Sequence, residues 1–313
     1  MKKRRALSSA LLVVFFAASA LAQSAGEVLC TEVMRLYPLE YIDQTEWWQT
    51  CQRTNDVEQL LAQLNDPLAR VTEAPEPSTA EYQQYETSTV GYLKLDGFQG
   101  GDEFVAQFDA ELEKAKFDDG MILDLRGAGG GDVATACKIL ERLTNAQLIG
   151  VTIRRRVAGS EDYKETTYNV KPRGAWQAEM PIVILCDQET YWPANVILLA
   201  AKDRPQMETV GYPTRGTKAV EPKLVLLSDS QRVWIPTAIA RTAAGVRYNG
   251  QPFEPNVNLN HDPANSYRDP KDPILARGAN EVFRMMGRLE WLQEEQRKKL
   301  LDDKSQHKKI GTH

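Results

Sequence analysis

Hydrophobic spacing divides the chain into a helical first part and a later part in which short strands alternate with helices. Between residues 26 and 69 the apolar side chains recur at helical spacing. The most regular stripe is Val57, Leu60, Leu61 and Leu64. This pattern predicts an amphipathic helix, which Asn65-Asp66-Pro67 ends. The stretch Thr72–Thr89 is rich in Glu, Pro, Thr and Gln and is predicted to be a linker or an exposed loop.

Beyond Val90 the apolar runs become short, and helical spacing returns between them. Apolar runs predict strands at 90–95, 121–126, 148–154, 166–170 and 182–186. Helical spacing predicts helices at 102–116, through Leu143, and from Asp272-Pro273 towards a charged tail at 294–309. The runs 224–227 and 232–235 flank Ser228-Asp229-Ser230 and predict a hairpin. This alternation is typical of an α/β domain.

The first residues have the composition of a secretory signal peptide. The basic residues Lys2–Arg5 precede an apolar run at 10–18, and Ala20-Leu21-Ala22 is an A-x-A cleavage site. The apolar run is too short to span a bilayer, and we expect no membrane-spanning helix elsewhere. The sequence therefore predicts a signal peptide at 1–22 and a periplasmic or secreted protein after cleavage near Ala22.

Charge and cysteine content narrow the function classes. The formal net charge is −5, and loss of the basic leader makes the chain more acidic, so nucleic acid and anionic membranes are not expected as partners. Only three histidines are present and no cysteine spacing resembles a zinc site, so no metal or other cofactor is expected. Cys30 and Cys51 are predicted to pair in an oxidising compartment. Cys137 and Cys186 are interpreted as buried free thiols, with a second bridge as the alternative.

Two glycine runs suggest chemistry. The run Gly100–Phe104 spells GGDEF, the diguanylate cyclase signature, but it opens a predicted amphipathic helix, so we interpret it as a helix start. The second run, Gly127–Gly131, follows a buried strand and precedes a helix. Backbone N–H groups of Gly130 and Gly131 could there line an oxyanion or anion site, and a tight turn without a ligand is the alternative.

The segment Pro181–Asp203 predicts a buried strand, a sharp polar turn and a helix, a common way to mount a nucleophile. The turn positions predicted to be exposed are Thr190, Tyr191 and Trp192. None of these is a serine.

In order and spacing, these motifs resemble those of the C-terminal processing (tail-specific) proteases, peptidase family S41. Ile122–Gly131 is similar to the family's ILDLRxNxGG turn, Pro181–Asp203 to its nucleophile strand and helix, and Gly211–Thr217 to its GExTxGK segment. The resemblance implies an α/β fold with a ClpP/crotonase-like core of strand-strand-helix units. It places a helical segment and linker at 23–85, the core at 86–268, and a C-terminal helix with a charged tail at 269–313. Only Leu68–Thr89 separates the helical segment from the core, which is too short for the family's usual PDZ domain.

The same resemblance indicates where the sequence departs from a working peptidase. The family's catalytic Ser falls on Trp192 and its general-base Lys on Thr217. The residue after the Ser normally donates an oxyanion-hole N–H, and Pro193 has none. The family's Glu in this helix turn is Asn195, whereas Gly131 matches the other oxyanion donor.

These departures favour a non-catalytic pseudopeptidase that binds a peptide, a protein partner or a small apolar ligand in the degenerate cleft. Trp192 would then fill the cleft or form its aromatic floor. The alternative is an active serine-type or threonine-type peptidase with relocated residues, in which Thr190 and Lys218 form a displaced dyad. A scaffold that pairs with an active protease is a third hypothesis.

Overall fold

Three helices form the first part of the structure, as the apolar spacing predicts. The computed structural model describes residues 23–72, 77–85, 89–174, 179–202, 204–242, 250–261 and 271–287. The first helices are α1 (Ala25–Leu36), α2 (Gln44–Arg53) and α3 (Val57–Leu64), capped by Ser24, Asp43 and Asp56. Asn65 takes a left-handed conformation and ends α3. The predicted signal peptide and the tail at 294–309 lie outside the described residues.

Strands and helices alternate through the rest of the described chain. The strands are β1 (Arg70–Thr72), β2 (Ala80–Gln84), β3 (Val90–Leu95), β4 (Gly120–Asp124), β5 (Leu148–Arg156), β6 (Tyr163–Val170), β7 (Ile182–Cys186), β8 (Met207–Gly211), β9 (Val220–Leu226), β10 (Arg232–Arg241) and β11 (Val257–Asn258). The helices among them are α4 (Gly101–Lys114), α5 (Val133–Leu143) and α6 (Ala194–Lys202), and α7 occupies 273–287. The predicted α/β class is confirmed, and the GGDEF run is the start of α4.

The strands form two sheets. The parallel sheet has the order β11-β8-β7-β4-β3-β2, in which β2 runs antiparallel to β3. The antiparallel sheet has the order β1-β10-β5-β6, and the predicted hairpin is the β9–β10 pair. Side chains of both sheets form the main core together with α4, α5 and α6. The neighbouring strands β4 and β7 are parallel, so the loops that follow them meet at one edge of the sheet.

Two further apolar clusters lie outside this core. Helices α1–α3 pack against β9 and β10 through side chains such as Leu29, Leu60 and Val233. Helix α7 covers the other face of the parallel sheet, where Val282 contacts the position of Gly120. None of the described helices is long and apolar enough to cross a bilayer.

The linker prediction for Thr72–Thr89 was wrong in part. Residues 80–84 form β2, which pairs with β3 in the register Tyr82–Leu93. The polar composition misled because β2 lies at the sheet edge, where three of its five side chains are exposed. Its Tyr82 N–H is bound by Glu111 of α4 at 2.9 Å, so the edge is held by contacts distant in sequence.

Candidate functional site

The turn between β7 and α6 exposes less than the sequence predicts. Thr190 and Trp192 are completely buried, so of the three predicted positions only Tyr191 is accessible. The Thr190 hydroxyl donates to the carbonyl of Leu125 at 2.8 Å and accepts the N–H of Asp187 at 3.0 Å. The fallback nucleophile is therefore part of the bonding that holds the turn against the end of β4.

Trp192 belongs to the main core. It is the largest of the fully buried side chains in the described part of the chain. Its carbonyl accepts the N–H of Gly130 at 3.0 Å, and the N–H of Tyr191 donates to Ala128 at 3.1 Å. These two bonds join the nucleophile turn directly to the glycine loop. Pro193 follows through a cis peptide and offers no N–H.

Of the two candidate oxyanion donors in the glycine loop, one N–H group is already hydrogen-bonded within the described part of the protein and the other is not. Gly131 has φ +94°, and a Cβ there would lie 2.1 Å from the carbonyl carbon of Phe98, so only glycine fits. The Gly130 N–H is taken by Trp192. The Gly131 N–H has no hydrogen-bond partner among the described residues. Gly131 alone could donate to a ligand carbonyl.

The position expected for the catalytic lysine holds a buried hydroxyl. Thr217 is 2% exposed, and its Oγ1 has no hydrogen-bond partner within the described ranges. Asn195, at the family's Glu position, is also 2% exposed, and its Oδ1 is likewise unbonded there. Neither side chain can take up a proton at neutral pH as a lysine or carboxylate base would.

Lys218, the fallback base, lies against the helical segment. Its Nζ donates to the carbonyl of Leu64 at 3.3 Å. The neighbouring Ala219 N–H donates to Asp66 at 3.0 Å, and burial raises the pKa of that carboxyl group. No hydrogen bond joins Thr190 and Lys218 in the part of the chain that the structure describes, so their bonds do not form a dyad.

A cleft of about 290 Å³ opens beside the glycine loop. Its lining residues are Leu68, Arg70, Gln99, Gly100, Gly130, Gly131, Asp132, Tyr191, Pro222 and Trp234. Trp192 does not line it, so the hypothesis of Trp192 as an aromatic floor was wrong. Tyr191 and Trp234 are its aromatic lining residues, and Gly131 of the glycine loop also lines it.

Arg70 and Tyr191, which both line this cleft, contact each other. The guanidinium of Arg70 donates to the Tyr191 hydroxyl at 2.8 Å and lies 5.2 Å from the ring centroid. The Tyr191 ring packs on Gly129, where a Cβ would approach it to 2.3 Å. Sequence reasoning missed Arg70 and Trp234. The alternating pattern around 232–235 could have pointed to Trp234, but Arg70 reaches the site only through the β1–β10 pairing.

The cysteines are placed as expected. Cys30 and Cys51 form a disulfide that joins α1 to α2. Cys137 and Cys186 are free and buried. Burial raises the pKa of the Cys137 thiol to about 12 and also raises that of Cys186, so neither is an activated nucleophile. No group of metal-ligating side chains occurs among the described residues.

Comparisons with known proteins relate this site to one family. The structure is similar to a candidate peptidase from Parabacteroides merdae, with a TM-score of 0.62 and 14% identity over 83% of this chain and 96% of that one. It is also similar to a lipoprotein from Streptococcus agalactiae, with a TM-score of 0.54 and 15% identity over 75% and 90% of the two chains. The photosystem II D1 C-terminal processing protease gives a TM-score of 0.43 and 24% identity over 60% and 49%.

For the first two structures, the likeness at these identities shows a shared fold. No curated protein matches the sequence. Residues 89–259, more than half of the chain, match the model of peptidase family S41. This range contains the glycine loop, the β7–α6 turn and the Thr217 segment. The chain belongs to peptidase family S41.

Proposed function

We propose that the protein is an exported, non-catalytic member of family S41 that binds a polypeptide segment in the cleft beside the glycine loop. One observation carries this proposal. Trp192 occupies the expected nucleophile position, is completely buried, and uses its carbonyl to occupy the N–H of Gly130. The position therefore holds no nucleophile. Its carbonyl accepts the Gly130 N–H, one of the two candidate oxyanion donors, so that donor is not available to a ligand.

The general base and the second oxyanion N–H of a serine–lysine mechanism are also missing from their expected positions. Nucleophilic catalysis needs a hydroxyl or thiol next to a base. Thr217 supplies no base, and Pro193 supplies no N–H. The alternative dyad would have to break the bonds of Thr190 to Leu125 and of Lys218 to Leu64. No observation favours that rearrangement, so the active-peptidase alternative has the weaker support.

The cleft itself supports binding. It combines aromatic and apolar walls with an unbonded backbone N–H at Gly131, the mixture that suits an extended backbone with one inserted side chain. A small apolar ligand or a partner protein that presents a loop would use the same surfaces. The Tyr191 ring covers Gly129, whereas Gly131 remains among the residues that line the cleft.

Export is supported by two independent features. Residues 1–22 have the composition of a signal peptide, and the Cys30–Cys51 disulfide suits an oxidising compartment. We therefore place the protein in the periplasm or outside the cell. Fractionation of cells that express the full chain would test this: a mature N-terminus near Gln23 in the periplasmic fraction is expected, and an uncleaved cytoplasmic chain would contradict it.

An activity probe tests the absence of catalysis. Purified protein would be treated with a fluorophosphonate probe and offered unfolded casein, beside an active S41 peptidase as positive control. We expect neither labelling nor cleavage. Labelling or cleavage that is lost in both Thr190→Ala and Lys218→Ala would establish the displaced dyad and overturn the proposal. Circular dichroism of both variants would show that any loss is not due to unfolding.

A further inference from the structure

We propose that Gln23 becomes the first residue of the exported protein and then cyclises to pyroglutamate. The modification depends on the proposed export, because it needs cleavage after Ala22 at the A-x-A site. It goes beyond the proposed binding function, since it concerns the residue before α1 rather than the glycine loop. The exported chain would begin with an uncharged ring in place of a free ammonium group.

The reaction needs only the groups of Gln23 itself. Cleavage frees the α-amino group of Gln23, and its unprotonated nitrogen attacks the side-chain amide carbon Cδ. A bond forms between N and Cδ, and the bond between Cδ and Nε2 breaks. The side-chain nitrogen leaves as ammonia and takes one proton from the α-amino group. No oxidant, reductant or second substrate takes part.

The structure leaves both reacting groups of Gln23 free. Gln23 is exposed and lies outside α1, ahead of the N-cap residue Ser24. Neither its side-chain amide nor its main-chain nitrogen has a hydrogen-bond partner among the residues that the structure describes. Ring closure therefore breaks no hydrogen bond of the described fold.

The capping box of α1 begins one residue later and does not use Gln23. The Ser24 N–H donates to the Glu27 carboxylate at 2.8 Å, and the Ser24 hydroxyl accepts the Glu27 N–H at 3.2 Å. These bonds satisfy two of the backbone donors at the start of the helix. The helix therefore keeps its cap whether Gln23 is linear or cyclic.

A surface hollow beside Gln23 has room for the ring. The hollow has a volume of about 470 Å³, and Gln23 lines it together with Trp48 and the Cys30–Cys51 disulfide. The disulfide joins α1 to α2, so it holds together the two helices that line the hollow. The ring can therefore close in the folded protein as well as in a chain that has just been cleaved.

Cyclisation also suits the electrostatics of α1. A free α-ammonium group would lie next to the N-terminus of this 12-residue helix, where the helix dipole is already positive. The lactam carries no charge and leaves the Glu27 carboxylate, which suits the dipole, at the cap. It also offers no free amine to aminopeptidases, which attack exposed chain ends.

Amine labelling followed by mass spectrometry tests the proposal. The full chain with its leader would be expressed in a bacterium and purified from the periplasmic fraction, and its free amines would be acetylated before reduction and trypsin digestion. We expect an N-terminal peptide 23–35 that lacks the acetyl label at residue 23 and weighs one ammonia less than the linear sequence. Synthetic linear peptide 23–35, added after the labelling step, measures any cyclisation caused by handling.

Gln23→Asn is the informative variant, because its shorter side chain cannot close this ring. Its terminal amine should take the label, and an aminopeptidase should remove its first residue while leaving the wild type intact. Pyroglutamyl aminopeptidase should remove one residue from the wild type and none from the variant. Gln52→Asn is the matched control, since Gln52 is exposed and lines the same hollow, and its terminus should stay unlabelled as in the wild type.

The outcomes distinguish cyclisation from the proposed export. A peptide 23–35 that carries the label at residue 23 in most copies would overturn cyclisation and leave export and the cleavage site intact. A peptide that begins at another residue would contradict cleavage after Ala22 and cyclisation together. An uncleaved cytoplasmic chain would contradict export itself and, with it, cyclisation.

Discussion

Replacing a nucleophile by a tryptophan changes both the chemistry and the packing of a turn. The Trp192 side chain is part of the main core, and its carbonyl holds the glycine loop through Gly130. Thr217, at the expected base position, and Asn195, at the family's Glu position, are also buried. All three positions are therefore buried, and none of them carries a lysine or carboxylate that could act as a general base.

Trp192→Ser tests this residue-scale argument, because it returns a hydroxyl to the expected position. We expect the free energy of unfolding in urea to fall by about 4 kcal/mol, since a large buried side chain is removed. We also expect no fluorophosphonate labelling. The carbonyl of residue 192 would still occupy the Gly130 N–H, and Thr217 would still supply no base.

The half-exposed Trp48 provides the matched control: Trp48→Ser should cost less than about 1 kcal/mol. A folded Trp192→Ser protein that reacts with the probe would show that the apparatus is intact apart from the serine. That result would contradict the correlated loss on which the proposed function depends.

At the scale of secondary structure, helices α1–α3 are held to the antiparallel sheet by a few specific contacts. Asp66, just beyond α3, accepts the Tyr37 hydroxyl at 3.1 Å and the Ala219 N–H at 3.0 Å. Arg156 of β5 donates to the carbonyls of Met34 and Tyr37 at the end of α1. These bonds hold the chain next to β1, whose Arg70 lines the cleft.

The disulfide between α1 and α2 should contribute measurably to this attachment. Cys30 and Cys51 are 21 positions apart, and closing a loop of that length in the unfolded chain is worth about 3 kcal/mol. The double variant Cys30→Ala, Cys51→Ala should lose about that amount in urea unfolding. Dithiothreitol should lower the stability of the wild type to the same extent and leave the variant unchanged. An equal effect of dithiothreitol on both proteins would contradict this assignment.

The sequence predicts a helix or strand well where the apolar side chains that define it are close together along the chain. The stripe from Val57 to Leu64 and the run 90–95 correspond closely to α3 and β3. It fails where an element depends on distant partners. Strand β2 has a polar sequence because it lies exposed at the sheet edge, and its bonds to β3 and α4 define it. Strand β1 has only three residues and is defined by its pairing with β10.

The same limit explains the errors at the site. Local composition made Thr190 and Trp192 look exposed, whereas Leu125 and the main core bury them. The sequence could assign Trp192, Pro193 and Thr217 to the expected catalytic positions because aligned motifs fix single positions, and those assignments stay predictions. The cleft itself could not, since Arg70, Tyr191 and Trp234 converge on it from three distant elements.

At the scale of the whole molecule, one ion-pair network joins the C-terminal helix to the strand that leads into the glycine loop. Arg126 donates to Asp124 through Nε and Nη2, and its Nη1 donates to Asp272 at 2.6 Å. Asp124 is 1% exposed and also accepts the Tyr92 hydroxyl at 2.5 Å. Asp272 accepts the N–H of Leu275 and so caps α7. Arg126 thus links β4, β3 and α7.

Removing this arginine should therefore affect more than its own contacts. In Arg126→Met the Asp124 carboxylate would stay buried without its counter-ion, and we expect a loss of about 3 kcal/mol or more in urea unfolding. Hydrogen exchange should rise in 273–287 before it rises in α1–α3, because α7 loses the partner of its cap. Adding Asp124→Asn to Arg126→Met should recover part of the loss, since it removes the unpaired charge.

The exposed pair Arg215–Glu189 provides the control for this prediction. Arg215→Met should change stability by less than about 0.5 kcal/mol, because both side chains of the pair are well solvated. If Arg126→Met costs no more than Arg215→Met, the network is not what fastens α7 to the sheet. The apolar contacts of Ile274, Val282 and Met285 would then have to hold the helix by themselves.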